Sequence, residues 1–433
     1  MRDLTVLEID LTAVAHNMAV LRRLVGPRVG ICPVVKADAY GLGAARVCPT
    51  LLAAGAEMLA VYTADQAAEL LRAAVGGTIL VMMPVRSLAR GDELEHALVR
   101  GRLHLTVHDR DQLADLVRLS ERYTTPIPVH LDIDTGMTRG GCLPADAPEL
   151  IAAINDAPRL KLAGISTHFS SAGSDPATTD RQLARLERLL KSEADAISPV
   201  CIVHAANTAA TLRTGAYHQR MVRIGQAWAG YGPELIDEES AAEWRDGAHD
   251  LRPCVTLSSR LIQIKSVPAR TKVGYEAAWT TRRASVIGLV PTGYADGYPL
   301  ALSGAGRRRR ETPLVAVMLQ GPSGLTRTYA PVVGRVNMDQ ITIDLTEIAA
   351  DKDTPPLRVG TGVELITADR AAPNHLAHLA TIAGTSPYEL LCRLNPRLRR
   401  VYHRASASIE VMPGAAAAAR AAATAAAAAV STG

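Results

Sequence analysis

Lys36 is the first residue of this sequence whose position suggests chemistry. It follows a run of mostly apolar residues, Val29 to Val35, and begins a small-residue segment that ends at Gly43. An ammonium at the end of a buried strand is poorly hydrated, so we expect the pKa of Lys36 to fall toward neutrality. A neutral amine in a pocket can form a Schiff base with an aldehyde cofactor. The alternative is a lysine that snorkels from the strand end into solvent.

Further polar side chains follow other predicted strands. Asp132 and Arg139 come at and after one strand end, and His168 follows the next. Later in the chain come His204, Asn207 and Thr208, and then Arg223, Gly225 and Gln226. The last two groups have the composition of a phosphate site, because side-chain donors precede a helix and a glycine lets backbone N–H groups approach an anion. An ordinary helix N-cap at Asn207 is the alternative.

A regular alternation of strand and helix must position these groups. The predicted strands are 29–35, 58–62, 78–83, 103–107, 128–133, 160–166, 200–204 and 221–224. Helical periodicity fills most gaps, most clearly at 64–74, 109–119, 146–155 and 178–197. Eight such repeats predict an α/β fold that begins with an N-terminal (β/α)8 TIM barrel over residues 1–245, with chemistry at the carboxyl ends of its strands.

The pattern changes after an acidic, polar segment at 237–250. Alternating apolar and polar residues, as at 259–266 and 340–345, indicate half-buried antiparallel strands. We therefore predict a mostly β C-terminal domain over residues 246–405, joined by the first strand of the chain, with short helices at 374–381 and 387–391. Residues 406–433 are Ala-rich without a patterned face and are predicted to be disordered.

Composition excludes several classes of function. Formal net charge is +4, and the one marked basic run, 307–310, has no interleaved aromatic residues, so we expect no nucleic-acid partner. The six cysteines lack metal-site spacing and suit reduced thiols, so we expect neither a bound metal nor a disulfide framework. No apolar run is long enough to cross a bilayer. These features predict a soluble, cytoplasmic protein.

The polar groups lie in motifs that resemble those of the alanine racemases, the barrel-type (fold type III) pyridoxal-phosphate enzymes. In the predicted barrel they are 34–41 (VVKADAYG), 134–139 (DTGMTR), 167–169 (THF), His204 with Asn207, and 223–225 (RIG). In the second domain they are 273–275 (VGY), 293–298 (GYADGY), 334–340 (GRVNMDQ) and 381–389 (TIAGTSPYE). Each motif alone is weak, but together they follow the family order and cover both domains.

The resemblance implies a pyridoxal 5'-phosphate cofactor, a small amino-acid substrate and a homodimer with active sites shared between subunits. Lys36 would hold the cofactor and act as one catalytic base, and Tyr275, from the partner subunit, would be the other. By the same resemblance, the cofactor phosphate would be bound by Tyr40, Asn207, Thr208, Gly225 and Tyr388, with Gln226 beside them. Arg223 would face the pyridine nitrogen, with His168 and His204 near the ring. Arg139 and Met338 would bind the substrate carboxylate, Tyr294 would line the entrance, and Asp132 and Asp339 would support these residues. Core packing is the alternative for each histidine and for Tyr388.

The residue types suit this chemistry. Inverting an α-carbon requires that a proton leave one face and arrive on the other, which calls for two opposed bases. Tyr275 titrates too high when unperturbed, so it needs a cationic or donor environment to act as a base. Arg223 at the pyridine nitrogen keeps its own proton and leaves that nitrogen a poor electron sink. A weakly delocalised carbanion is reprotonated quickly, which favours racemisation over transamination.

Several positions depart from the family pattern. Asp132 stands where a lysine, carbamylated in many members, is usual, so the orientation of Arg139 is expected to differ. Leu42 replaces a common histidine, Asn337 a common cysteine and Glu276 a common glycine. The segment 298–333 is longer than usual, and Leu300 replaces a frequent arginine. These changes bear most on the choice of substrate.

The sequence therefore predicts a pyridoxal-phosphate-dependent racemase of alanine or another small amino acid such as serine. One alternative is an amino-acid decarboxylase of the same barrel type, which would carry a different phosphate motif and no base at Tyr275. A second is a non-catalytic pyridoxal-phosphate-binding protein, and such proteins commonly lack the second domain.

Overall fold

The computed structural model describes residues 4–232, 234, 247–304, 312–321 and 324–404. The predicted boundary at 245/246, the basic run 307–310 and the Ala-rich tail 406–433 lie outside the described residues. Contacts divide the described chain into two compact units. We name residues 13–39 and 43–252 the barrel unit, and residues 4–12, 40–42 and 253–404 the sheet unit.

The chain begins with β1 (Val6–Asp10) and α1 (Leu11–Val25) and then alternates between strands and helices. The strands of the barrel unit are β2 (Gly30–Pro33), β3 (Met58–Val61), β4 (Thr78–Pro84), β5 (Leu103–Val107), β6 (Ile127–Asp132), β7 (Leu160–Ser166), β8 (Ile202–His204) and β9 (Met221–Ile224). They match the predicted strands one for one. Most of their residues are apolar and buried, as parallel strands covered on both faces require.

Hydrogen bonds close these strands into a ring. Strands β3 to β8 form a parallel sheet in sequence order, and β2 pairs in parallel with β9. The Val35 N–H donates to the Ala60 carbonyl at 2.8 Å, which joins β2 to β3. The Arg220 N–H donates to the Val203 carbonyl at 3.0 Å, which joins β8 to β9. The predicted (β/α)8 barrel is thus confirmed, and the carboxyl ends of its strands share one mouth.

Helices follow the strands around the barrel. They are α2 (Lys36–Gly41), α3 (Ala44–Ala53), α4 (Ala64–Arg72), α5 (Glu93–Val99), α6 (Arg110–Ser120), α7 (Ala147–Asp156), α8 (Pro176–Ser192) and α9 (Thr208–Arg213). Several begin at side chains that cap the first turn. Asp109 accepts from the Gln112 N–H, and Thr63 forms a reciprocal capping box with Gln66. The local sequence therefore sets where these helices start.

The sheet unit is mostly β, as predicted. Its further strands are β10 (Val255–Arg260), β11 (Gln263–Val267), β12 (Lys272–Val273), β13 (Trp279–Thr280), β14 (Ser285–Val290), β15 (Leu314–Gly321), β16 (Gly324–Val333), β17 (Ile341–Asp344), β18 (Gly362–Ile366) and β19 (Arg399–His403). Short helices are α10 (Thr346–Ala350), α11 (Leu376–Ala383) and α12 (Pro387–Arg393). Among the described residues one nine-stranded sheet has the order β11-β14-β17-β16-β15-β18-β10-β1-β19.

The N-terminal strand β1 lies inside this sheet, antiparallel to β10 and parallel to β19. The sheet unit is thereby built from both ends of the described chain. Within the described residues, no helix is long and apolar enough to cross a membrane.

Candidate functional site

Lys36 begins a turn of unusual handedness. It is half-buried, and two residues, Val34 and Val35, separate it from the end of β2. The φ angles of residues 37, 38, 39 and 40 are +52°, +54°, +54° and +57°, although none of them is glycine. Such a left-handed conformation costs roughly 1–2 kcal/mol per L-residue. Within the barrel unit Asp38 helps to hold it, because its Oδ1 accepts the Ala44 N–H at 2.7 Å.

The far end of this turn, residues 40–42, belongs to the sheet unit. The ring of Tyr40 lies 5.0 Å from that of Tyr388, tilted by 58°. Burial, with the neighbouring Tyr388 second, raises the pKa of Tyr40 well above its usual value, so its hydroxyl stays a donor. Arg400 Nε donates to the Gly41 carbonyl at 2.9 Å and the Tyr402 hydroxyl to the Leu42 carbonyl at 3.0 Å. Tyr40 and Tyr388, both predicted to bind the phosphate, therefore lie side by side in the sheet unit.

Gly41 meets a specific steric demand at this point. Its φ is +78°, and a Cβ there would lie 2.9 Å from the Leu391 carbonyl oxygen. Only glycine satisfies both the backbone conformation and the close approach.

Arg223 is a buried charged group of the barrel unit that is held by several hydrogen bonds. It lies on β9, is 6% exposed, and donates to the His204 Nδ1 at 2.6 Å and the His204 carbonyl at 2.7 Å. It also donates to the Thr167 carbonyl at 2.6 Å and, more weakly, to His168 Nδ1 at 3.2 Å. Every one of these acceptors is neutral. Burial lowers the pKa of Arg223, which nevertheless stays a cation at any ordinary pH.

The Nε–H of Arg223 makes no hydrogen bond to any described residue. The guanidinium is thus held from one side by its terminal nitrogens. One donor of a fully positioned cation stays available to a ligand.

Both predicted histidines are neutral. Burial, with Arg223 next, lowers the pKa of His168 to about 3, and Arg139 and Lys36 add to this effect. Burial also lowers the pKa of His204 far below its usual value. Lys36, Arg139, His168 and Arg223 therefore share one electrostatic neighbourhood in the barrel unit.

Two further histidines extend this cluster and were missed by the sequence prediction. His204 Nε2 lies 2.8 Å from His130 Nδ1, and His130 Nε2 lies 2.8 Å from His104 Nδ1. His130 is on β6 and His104 on β5, and both precede the carboxyl end of their strand. A histidine in an otherwise apolar strand was the only local sign, and it does not distinguish a packed ring from one in a hydrogen-bonded chain.

The predicted phosphate segment is tightly connected. Asn207 Oδ1 accepts the Ala210 N–H at 3.0 Å, so this side chain is the N-cap of α9. The Thr208 hydroxyl accepts the Gly225 N–H at 2.9 Å, which ties the end of β9 to the start of α9. Gln226 is fully buried in the turn that follows. The structure thus brings Asn207, Thr208, Gly225 and Gln226 together at the carboxyl ends of β8 and β9.

Asp132 and Arg139 do not contact each other. Asp132 Oδ1 accepts the Ser166 hydroxyl at 2.6 Å, and its Oδ2 lies 3.8 Å from His108 Nδ1. Arg139 is exposed, and its guanidinium makes no hydrogen bond or ion pair with any described residue. The shorter aspartate at position 132 therefore leaves Arg139 without the anchor that a carbamylated lysine would give.

His108 does not donate a hydrogen bond to Asp132 in place of Arg139. Its Nε2 donates to the Met82 carbonyl at 2.9 Å, and its Nδ1 accepts the Gly141 N–H at 3.0 Å. Because Nδ1 is an acceptor, the ring carries no proton toward Asp132.

In the sheet unit three loops carry the remaining predicted residues. Tyr275, Tyr294 and Met338 are 70%, 46% and 55% exposed. The Tyr294 N–H donates to the Asn337 carbonyl at 3.0 Å, and the next N–H donates to the Met338 carbonyl at 2.9 Å. The loop before Tyr275 lies against the start of the Met338 loop, since a Cβ on Gly334 would be 3.2 Å from the Val273 carbonyl oxygen.

Arg397 fixes two of these loops and was also missed. Its Nε donates to Asp296 Oδ1 and one terminal nitrogen to Asp339 Oδ1, each at 2.8 Å. Asp296 in turn accepts the Gly293 N–H at 3.0 Å. Asp339, predicted as a supporting residue, thus acts through Arg397. No motif marks an arginine after a proline in a loop, so sequence alone offered no signal.

Glu276 occupies a position that favours glycine. Its φ is +59°, and its carboxylate pairs with Arg335 at 2.6 Å. The left-handed backbone accounts for the glycine that is common at this position.

Models of one protein family match nearly the whole described chain. The model "Alanine racemase, N-terminal domain" matches residues 9–233. The model "Alanine racemase, C-terminal domain" matches residues 254–402.

Individual relatives agree with these matches. The alanine racemase of Synechocystis sp. is 34% identical over 398 residues, covering 91% of this chain and 97% of the relative. The crystal structure of the alanine racemase from D-cycloserine-producing Streptomyces lavendulae has a TM-score of 0.78 at 29% identity, covering 94% of this chain and 98% of that one. The Bartonella henselae alanine racemase, solved with covalently bound pyridoxal phosphate, has a TM-score of 0.73 at 26% identity, covering 92% and 99%.

Proposed function

The chain belongs to the alanine racemase family, and from this membership we propose that it interconverts L- and D-alanine with pyridoxal 5'-phosphate as cofactor. The structural observation that supports the proposal most directly is Arg223, a buried cation with neutral acceptors and one unused donor. A permanent donor beside a pyridine nitrogen suits proton exchange at the substrate α-carbon.

The residues of the barrel unit fit this cofactor. Lys36 supplies an amine for the aldehyde, and Arg223 Nε–H supplies a donor for the ring nitrogen. The Thr208 hydroxyl can donate to a phosphate while it accepts the Gly225 N–H, and Gln226 places a side-chain amide in the turn that follows. We assign Tyr40, Asn207 and Tyr388 to the same phosphate, and His168 and His204 to the surroundings of the ring. When bound, pyridoxal phosphate withdraws electrons from the substrate α-carbon and so acidifies its proton.

Two residues of the chain move the proton. We assign Lys36 Nζ to one face of the α-carbon and the Tyr275 hydroxyl to the other, because inversion requires opposed bases. In a single chain Tyr275 is 70% exposed. We propose that a homodimer forms and that each site receives Tyr275 of the partner subunit.

The substrate carboxylate is assigned to Arg139 and to the backbone of Met338, and the entrance to Tyr294. Arg139 is a cation without a partner among the described residues, so it can pair with an anion. Asp132 does not hold it in place, and we propose that substrate binding itself orders this side chain.

The two alternatives are less favoured. Both family models match, and the second covers the domain that a pyridoxal-phosphate carrier would lack. We further propose a cytoplasmic location, which is consistent with six cysteines that are all free thiols, five of them buried.

Replacing Tyr275 by phenylalanine tests the two-base assignment. We expect Tyr275→Phe to lower the racemisation rate roughly 100- to 10,000-fold, while the visible absorbance of the bound cofactor is unchanged. Tyr329→Phe, a half-buried tyrosine of β16, is the matched control and should retain full activity. Undiminished turnover in Tyr275→Phe would rule out its role as a base.

Mixing two inactive chains tests the shared site. A heterodimer of Lys36→Ala and Tyr275→Phe chains should regain one working site, because one subunit would supply the lysine and the other the tyrosine. Complete inactivity of a mixture shown to contain heterodimers would contradict a site built from both subunits.

A further inference from the structure

A continuous chain of three imidazoles runs from Arg223 toward the opposite side of the barrel. We call His104, His130 and His204 the histidine rod. Its hydrogen bonds are 2.8 Å from His104 to His130, 2.8 Å from His130 to His204, and 2.6 Å from His204 to Arg223. His130 and His204 are 0% and 1% exposed, and His104 is half-buried.

Arg223 fixes the direction of every hydrogen bond in the histidine rod. A guanidinium only donates, so His204 Nδ1 must be the acceptor. A neutral His204 then carries its proton on Nε2 and donates to His130 Nδ1. The same step repeats from His130 Nε2 to His104 Nδ1. All three rings are therefore locked as the Nε2–H tautomer, and reversal would require Arg223 to lose a proton.

Burial, reinforced by nearby cations, keeps the rings neutral. Burial and then the nearby Lys161 lower the pKa of His104 to about 4, against the opposing effect of the Gly101 carbonyl. Burial lowers the pKa of His130 far below its usual value, with His104 and Arg223 adding to the effect. At the other end Asp132 and Cys32 raise the pKa of Arg223, whereas Arg139 lowers it.

The barrel is shaped around His130. A Cβ on Gly164 of β7 would lie 2.2 Å from His130 Nδ1, so only glycine leaves room for the ring. The pairing of β6 with β7 also shifts register between Val129 and His130. Three imidazoles in a barrel core are costly unless each nitrogen is satisfied. The backbone therefore accommodates a polar chain where apolar packing would be simpler.

We propose that His104 and His130 are positioning residues that act through His204 to hold Arg223 in one orientation and so set the ratio of racemisation to transamination. This inference rests on the proposed function, because it concerns the group assigned to the pyridine nitrogen. Neither histidine need touch substrate or cofactor. If the histidine rod is broken, Arg223 loses its aligned acceptor and its Nε–H is no longer fixed.

The tautomers can be read in the unmodified protein. Holoprotein labelled with ¹⁵N-histidine, with signals assigned from single histidine variants, should show all three rings as Nε2–H and none titrating across the neutral range. An Nδ1–H form or a titrating ring would overturn the proposal. This measurement does not depend on turnover, so it stands even if the protein proves not to racemise alanine.

Two variants break the histidine rod in different ways. His130→Leu removes its middle, and Gly164→Ala displaces His130 with one added methyl group. Their matched controls are Thr106→Val, which removes a buried hydroxyl bonded to the Val81 carbonyl in the adjacent strand, and Gly30→Ala, where a Cβ would lie 3.2 Å from the Met221 side chain and 3.6 Å from the Arg220 carbonyl oxygen.

We expect both rod variants to raise the keto acid formed per racemisation event and to lower kcat by about 10-fold or more, with KM little changed. The absorbance spectrum of the bound cofactor should shift in the same two variants and not in the controls. Parent-like partition and spectra in a folded rod variant would overturn the proposal. Absence of racemisation in the parent would instead contradict the proposed function.

Discussion

Arg223 of the barrel unit and Arg397 of the sheet unit have opposite surroundings. Arg223 is 6% exposed and donates only to carbonyls and imidazoles. Arg397 has a side chain that is 46% exposed and donates to two carboxylates. Burial lowers the pKa of Arg223, whereas hydrogen bonds to Asp296 and Asp339 raise that of Arg397.

The difference indicates what each arginine does. A carboxylate partner neutralises a guanidinium and makes it a clamp, which is how Arg397 joins the Tyr294 and Met338 loops. Neutral partners leave the buried charge of Arg223 without a hydrogen-bonded counter-ion, which is costly and rarely kept for stability alone. Arg223 is therefore expected to act on a ligand, and Arg397 on the protein.

Removing each arginine should give the largest contrast. Arg223→Met leaves several buried acceptors without donors, and we expect the free energy of unfolding to fall by about 3 kcal/mol or more. Arg397→Met breaks only half-exposed ion pairs and should cost about 1 kcal/mol or less. Urea titration measures both, and equal losses would contradict the comparison.

Acid should act on the barrel unit through its buried histidines, of which His104 is one. The pKa of His104 is about 4 in the folded protein, below its ordinary 6.5, so the unfolded chain binds more protons between these values. Stability is full above the higher value and falls as the pH drops toward the lower one. His104→Gln should make the slope of unfolding free energy against pH shallower by about 1.4 kcal/mol per unit in this window. An unchanged slope would show that His104 is already charged.

The two carboxylates that pair with Arg397 should contribute unequally to the free energy of unfolding. The side chain of Asp296 is 10% exposed and also accepts the Gly293 N–H, whereas that of Asp339 is 59% exposed. Asp296→Asn should lower the unfolding free energy by about 1 kcal/mol, since it weakens a buried charge-assisted bond. Asp339→Asn should stay within about 0.5 kcal/mol of the parent in the same assay. The reverse order would mean that the exposed pair dominates the clamp.

Added salt should change the stability loss of the two arginine variants differently, and this is the smallest of the expected effects. Screening at 1 M shortens the Debye length to about 3 Å and weakens exposed ion pairs. The loss caused by Arg397→Met should therefore shrink by a few tenths of a kcal/mol, while that of Arg223→Met stays constant. Paired urea titrations at low and high salt report this difference.

The repeating strand and helix pattern was sufficient to predict the barrel, because a parallel strand that is covered on both faces consists of a short run of apolar residues. Lys36, His204 and Arg223 could be located because polar residues at the ends of such runs stand out. His104 and His130 could not, since a histidine within a strand has the same local pattern whether it packs or relays a hydrogen bond. Their partners lie on other strands, and only folding brings them into line.

The left-handed turn after Lys36 could not be predicted from the sequence either. Alanine and tyrosine disfavour positive φ, one aspartate does not specify four left-handed residues in a row, and the two glycines nearby indicate only a tight turn. What holds the far end of the turn is a set of contacts from residues 391, 400 and 402. Asp38 supports the turn within the barrel unit, and residues of the sheet unit hold the segment 40–42.

The same contacts impose an order on biosynthesis. The Gly41 carbonyl receives its hydrogen bond from Arg400, which lies 359 residues later in the chain. At about 5–20 residues per second, a ribosome takes roughly 20 to 70 s to deliver that partner. Through that interval residues 40–42 lack this contact, so that segment of the sheet unit cannot be completed until β19 leaves the ribosome. The sheet unit is therefore completed only after nearly the whole described chain has been translated.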